Sequence, residues 1–161
     1  MSHDAAPVGL HDAVESSIVD LFDTMLGLPI RPSSVLPFSA SETSSYTGVV
    51  AFDGAWSGMI TVQMTPSIAR ACALTLMNVR GEDLTYDDIV VVVGEIANMI
   101  GGNLKSVLVA PATLSLPWVV DGKEFRIGMP DRQELALCAF ECVGSQVHVG
   151  VFRRDVRVLA A

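Results

Sequence analysis

A carboxylate and a carboxamide stand three residues apart in the segment Gly94-Glu95-Ile96-Ala97-Asn98. In a helix, at about 100° per residue, that spacing puts Glu95 and Asn98 on one surface about a turn apart, where both can address a common target. The flanking residues support such a helix. Ile89, Val93, Ile96, Ile100, Leu104 and Val107 fall on one side, Glu95, Asn98, Gly102 and Lys105 on the other, and Val91 lies between the pair in projection. Three glycines, Gly94, Gly101 and Gly102, each destabilise a helix by up to about 1 kcal/mol relative to alanine, so they need a reason. Gly101, nearer the apolar side, suits packing on a sheet, whereas small residues on the polar side let another backbone approach. This is the pattern of a docking surface, with Val91, Gly102 and Lys105 as candidate partner contacts. An isolated Glu-x-x-Asn is also common on a plainly solvated helical face, so the rest of the chain must weigh in.

Other chemistries find little footing. His3, His11 and His148 have no acid or cysteine arranged as a nucleophile-base pair or a zinc set. Cys72, Cys138 and Cys142 are odd in number, lie in apolar segments and form no C-x-x-C, which suits buried thiols in a reducing compartment. Gly101-Gly102-Asn103 lies inside a helix rather than between a strand and a helix start, so it cradles no phosphate. The formal charge of −8, with eighteen acidic residues and no cluster of Lys and Arg, disfavours nucleic acid. The N-terminus has no basic region followed by an apolar one, so it does not read as a secretory signal. The apolar stretch from Ile89 to Ala110 is long enough to span a bilayer, but Glu95, Asn98, Asn103 and Lys105 interrupt it with groups costly to place in lipid. A buried helix in a cytoplasmic protein is the better reading.

With 161 residues, half of them hydrophobic, the chain has the size of one domain, with residues 1–11 as a flexible tail. A first helix is expected from Asp12, as N-cap with Glu15 three residues on, to Leu26, closed by Gly27, with Val14, Ile18, Leu21, Phe22 and Met25 as its apolar stripe. Thr47 to Asp53 and Gly58 to Met64 read as a hairpin around Gly54-Ala55-Trp56-Ser57. Thr65-Pro66 opens a short helix to about Met77. Thr85, with Asp88 three residues later, opens the long helix to about Leu108. Beyond it, Thr113 to Val120 and Glu124 to Ile127 flank the turn signal Asp121-Gly122, and Leu135 to Cys142 with Gln146 to Phe152 form a second hairpin. Trp56 and Trp118 fall near hairpin ends, where partner contacts are conceivable; Met59, Met64, Met77 and Met99 read as core filler.

The two halves rhyme. LFDTMLG (Leu21 to Gly27) matches EIANMIG (Glu95 to Gly101), and VVAFDGAWSGMITV (Val49 to Val62) resembles LCAFECVGSQVHVG (Leu137 to Gly150). A degenerate helix-plus-hairpin repeat follows, and with it an α+β fold of two long helices packed on one mostly antiparallel sheet. Leu21 and Thr24 stand where Glu95 and Asn98 stand in the second half, so any chemistry belongs to the second half.

The segment GEIANMIGGNLKS (Gly94 to Ser106) resembles the signature helix of the CheC/CheX/FliY phosphatases of bacterial chemotaxis, whose core is Glu-x-x-Asn on a long surface helix. Asn103, after a pair of small residues, is similar to CheX-type sequences in particular, as are the chain length and the single motif. The chain departs from the pattern at Val91, where the family often has Asp or Ser, and in the position of Pro117. The resemblance implies hydrolysis of the aspartyl phosphate on a CheY-like response regulator. Asn98 would hold the attacking water and Glu95 would anchor the helix on the regulator's lysine. No cofactor is implied on this chain, because the Mg2+ belongs to the regulator. A homodimer joined through strand edges is implied as well. A non-catalytic adaptor of the same fold, or a structural subunit using this face for assembly, are the alternatives.

Overall fold

The computed structural model describes residues 8–34, 44–108, 112–123 and 127–154. Three helices, α1 (Leu10–Asp20), α2 (Pro66–Met77) and α3 (Tyr86–Leu104), pack with an antiparallel sheet of seven strands. The strands are β1 (Ile30–Ser33), β2 (Ser45–Gly54), β3 (Gly58–Met64), β4 (Ala112–Leu114), β5 (Trp118–Gly122), β6 (Arg132–Cys142) and β7 (Ser145–Arg154). Their order across the sheet is β1-β6-β7-β3-β2, and the outer edge of β2 is shared by β5, against Ser45 to Val49, and β4, against Phe52 to Gly54. The α+β class stands. Among the described residues there are three α-helices rather than two long ones, and α3, at 19 residues, is the long one. No helix among the described residues is long and apolar enough to cross a membrane.

Alternation decides which strand residues meet the helices. Val50, Phe52, Ile60, Val62, Cys138, Phe140, Val147 and Val149 join Ile18, Phe22, Val93, Ile96 and Ile100 in the main core. Val49, Met59 and Phe152 form a smaller cluster with Ile127 and Met129, and the Arg132 guanidinium lies 5.1 Å from the centre of the Phe152 ring. All three cysteines are buried free thiols, and burial pushes Cys72 up to about 12 and Cys138 to about 11, so neither forms a reactive thiolate at neutral pH. His148 is buried on β7, and that burial lowers its pKa. Trp56, expected as a possible partner contact, is buried edge-on against Phe52, with ring centroids 5.3 Å apart.

The capping signals of α2 and α3 act as their chemistry requires. The Thr65 hydroxyl accepts from the Ile68 N–H with Pro66 at the first helical position, and Thr85 and Asp88 form a reciprocal box at 3.1 and 3.0 Å. Elsewhere the boundaries move. Helix α1 begins at Leu10, inside the presumed tail, because Leu10 is buried in the core; Gly9 caps it, and Asp12 sits within its first turn. After Asp20 the chain widens into a π turn, Leu21–Leu26, ended by Gly27 at φ 60°. That widening changes the phase of the helix, so Leu26 enters the core and Met25, expected there, is 53 % exposed. Helix α3 ends at Leu104 rather than Leu108. Asp121-Gly122 is no hairpin turn, because both residues pair with Tyr46 and Ser45 as the end of β5. Of the strand expected from Glu124 to Ile127, residues 124–126 lie outside the described residues.

Two positions carry opposite strains. On β2, a Cβ added at Gly48 would lie 2.7 Å from the Val93 carbonyl oxygen and 2.9 Å from the Ala97 Cβ, so α3 rests against bare backbone. Between β6 and β7, Val143 and Gly144 form a two-residue turn with φ of 48° and 72°, a type I′ geometry in which a β-branched residue is strained. Gly48→Ala is expected to lower stability by about 1–3 kcal/mol through overpacking, and Val143→Asn to raise it by about 1 kcal/mol by relieving the left-handed strain. Urea unfolding of both variants beside wild type checks the two signs.

Candidate functional site

The surface of α3 opposite its core stripe carries Val91, Glu95, Asn98, Gly102 and Lys105 at successive spacings of four, three, four and three residues, a single line along the helix. Val92, Val93, Gly94, Ile96, Ala97, Ile100, Gly101 and Leu104 are buried beneath it. Val91 is 60 % exposed, Glu95, Gly102 and Lys105 are exposed, and Asn98 is half-buried rather than fully exposed. In projection Asn98 falls on the flank of the line nearest the buried Gly94 and Gly101, which explains its partial cover. Neither Glu95 nor Asn98 has a side-chain hydrogen bond or ion pair among the described residues. A carboxylate and an amide one turn apart, both unspent among the described residues, can address an incoming partner.

The neighbouring elements fix this line in place. Gly94 does not serve a partner: a Cβ there would touch the Pro117 ring at 3.4 Å and Val119 at 3.6 Å, so it admits the connection between β4 and β5. Gly101 likewise faces Leu114, Val50 and Phe52. A methyl group added at Gly102 would meet nothing within 4 Å, and this is the one glycine of the three left open to solvent. At the helix start, the Tyr86 hydroxyl donates to the Asp121 carboxylate at 2.9 Å, which holds the phenol above its ordinary pKa and ties α3 to β5. Near its end, the Asn103 amide donates to the Ser17 hydroxyl at 3.0 Å and braces α3 against α1. The sequence alone attaches no role to Asn103; this bracing supplies one.

A groove runs along each flank of the line. One, of about 270 Å³, lies between α3 and β5 and is lined by Val90, Val91, Gly94, Glu95, Pro117, Trp118 and Val119. The other, of about 490 Å³, lies between α3 and the π turn and is lined by Asp20, Leu21, Thr24, Met25, Met99, Gly102 and Asn103. Sequence reasoning missed the second groove, since its wide turn has no motif. Leu21 is buried and the Thr24 hydroxyl donates back to the Asp20 carbonyl, so the first-half counterparts of Glu95 and Asn98 present no matching pair. His11, Asp12 and Glu15 bring three donor atoms within 4.8 Å on the exposed first turn of α1, where the positive end of the helix opposes a cation.

Comparison with known proteins now bears on this arrangement. The family described as chemotaxis phosphatase CheX matches residues 46–141, more than half of the chain and including all of α3. No curated protein sequence matches. Among solved structures, the chemotaxis protein CheX of Vibrio vulnificus superimposes with a TM-score of 0.74 at 20 % identity, covering 91 % of this chain and 98 % of its own. A CheC-like protein from a Shewanella species gives 0.74 at 18 % identity, with 92 % and 99 % covered. The complex of CheX with CheY, BeF3 and Mg2+ from Borrelia burgdorferi gives 0.67 at 21 % identity, with 91 % and 96 % covered. At these identities the structural likeness is one of fold.

Proposed function

Since the chain belongs to the chemotaxis phosphatase CheX family, we propose that it is a cytoplasmic protein aspartyl-phosphate phosphatase acting on a CheY-like response regulator. The observation that carries this reading is the placement of Glu95 and Asn98 on one line of α3, without a side-chain partner among the described residues and inside the segment that the family matches. The Borrelia structure pairs a protein of this fold with CheY, a beryllofluoride group and Mg2+. By analogy, the Mg2+ here resides on the regulator and this chain supplies none.

The chemistry needs little from the phosphatase. Water attacks phosphorus as the bond to the aspartyl oxygen breaks, which releases phosphate and regenerates the regulator's carboxylate. Positioning and charge stabilisation dominate such a transfer. The Asn98 amide can accept a hydrogen bond from the water and so hold its oxygen in line with the scissile bond. The Glu95 carboxylate pairs with a lysine of the regulator and so registers α3 over the acyl phosphate. Val91, Gly102 and Lys105 complete the contact, with Gly102 letting the regulator's backbone approach. The reading includes a single domain, a degenerate repeat that kept the motif in its second half alone, and a homodimer joined through strand edges. A non-catalytic adaptor is the second reading, favoured by the exposed Val91 where a polar residue is common.

Asn98→Ala is expected to lower the dephosphorylation rate about tenfold or more while regulator binding survives, because an interaction made in the transition state affects turnover before affinity. Glu95→Ala is expected to lose affinity as well, by roughly 2–5 kcal/mol including the regulator charge left unpaired. Loss of phosphoryl group from a Mg2+-loaded regulator, followed with wild type and both variants, decides between the readings. A wild type that binds regulators without accelerating any of them is the adaptor. Gly102→Ala separates folding from docking: it should stabilise the free chain by about 0.5–1 kcal/mol in thermal unfolding and weaken regulator binding.

A further inference from the structure

We infer that the groove between the π turn of α1 and α3 is a second docking contact for the same regulator, with Met25 as its principal determinant. The inference rests on the functional reading above and extends it to the partner's footprint. Stable protein–protein contacts cover about 800 Å² and roughly 20–30 residues on each side. The line of Val91, Glu95, Asn98, Gly102 and Lys105 is far smaller than that. A regulator seated with its acyl phosphate over Asn98 therefore extends onto the flanks, and the larger groove opens on the flank beyond Gly102, lined by Met99 and Asn103. Gly102 belongs to both the line and the groove, so the two surfaces are continuous.

The chemistry of the groove fits an apolar contact rather than a charged one. Leu21, Met25 and Met99 supply its apolar lining, Asp20 is its one charge, and no lysine or arginine lines it among the described residues. Met25 lies within the widened turn and is 53 % exposed; a regular α-helix would have turned it into the core with Val14, Ile18 and Phe22. π turns are uncommon and cluster at functional positions. A flexible thioether held at the surface beside Gly102 adapts to an aliphatic partner surface. The matched motif positions, Leu21 and Thr24, line this groove, so the half that lacks the catalytic pair contributes to recognition instead.

Binding of the full-length chain to CheY-like regulators of its own genome, charged with beryllofluoride and Mg2+, tests this directly. Met25→Lys should weaken binding roughly tenfold or more, Met25→Leu should stay near wild type, and Val79→Lys, at an exposed apolar position outside the groove, should change nothing. In turnover, Met25→Lys should raise KM with kcat kept, the sign of lost uniform binding. Should Met25→Lys fail to fold, Thr24→Arg, exposed on the same rim, should give the same loss. Wild-type affinity for Met25→Lys beside a loss for Glu95→Ala overturns the groove while leaving the phosphatase reading intact. A Met25→Lys variant that changes only the sedimenting mass overturns it too, and assigns the groove to a second copy of the chain. A wild type that binds no regulator overturns both.

Discussion

Helix α3 meets the sheet at Gly48, where β2 offers backbone in place of a side chain, and the rest of the site follows from that approach. With the Val93 carbonyl and the Ala97 methyl pressed onto the strand, the helix sits low enough for Gly94 to receive Pro117 and for Gly101 to receive Leu114 and Phe52. Each of these contacts fixes rotation about the helix axis. Rotation matters more than height, since one residue's worth, about 100°, would carry Glu95 and Asn98 off the solvent side. The latch from Tyr86 to Asp121 and the brace from Asn103 to Ser17 add restraint at the two ends. Glu95 and Asn98 are thus carried by an element restrained along its buried face and at both ends, the condition under which two side chains keep a common aim.

Much of this was legible in the residues because it depends on local chemistry. The box of Thr85 and Asp88, the Thr65-Pro66 start and the hairpin of β2 and β3 appear where the sequence places them. The apolar period of α3 placed Val93, Ile96, Ile100 and Leu104 in the core, where they lie, while Ile89 and Val107 at the ends of the stripe are only partly buried. Pair spacing placed Glu95 and Asn98 on a shared surface but could not weigh their cover, which depends on neighbours distant in sequence. Asp121-Gly122 carried a strong turn signal, yet pairing with Ser45 and Tyr46 won, because strand partners form non-locally. The end of α1 misled for another reason. Nothing in Leu21 to Leu26 marks a π turn, so a regular period put Met25 in the apolar stripe, whereas the structure leaves it exposed and buries Leu26.

That difference also changes how the two halves compare. LFDTMLG and EIANMIG share Met25 with Met99 and Gly27 with Gly101, but the first segment is wound more widely than the second. Equal letters therefore occupy unequal surroundings: Met25 faces solvent, whereas its counterpart Met99 is partly buried against the core. The two segments differ in winding as well as in side chains, and winding is invisible to a comparison of residues.

The two ends of the sheet carry a further consequence. At one, β1 is four residues long, contains Pro32 without an N–H to offer, and is pinned by the ion pair of Arg31 with Glu141 at 3.1 Å. At the other, the edge of β2 is covered by two short strands separated by Ser115 to Pro117 rather than by one continuous strand. Among the described residues neither border presents a long flat row of free backbone groups, the template on which chains add to one another without limit. A sheet trimmed in this way offers another chain little backbone to pair with, which guards its apolar strands against edge-to-edge addition.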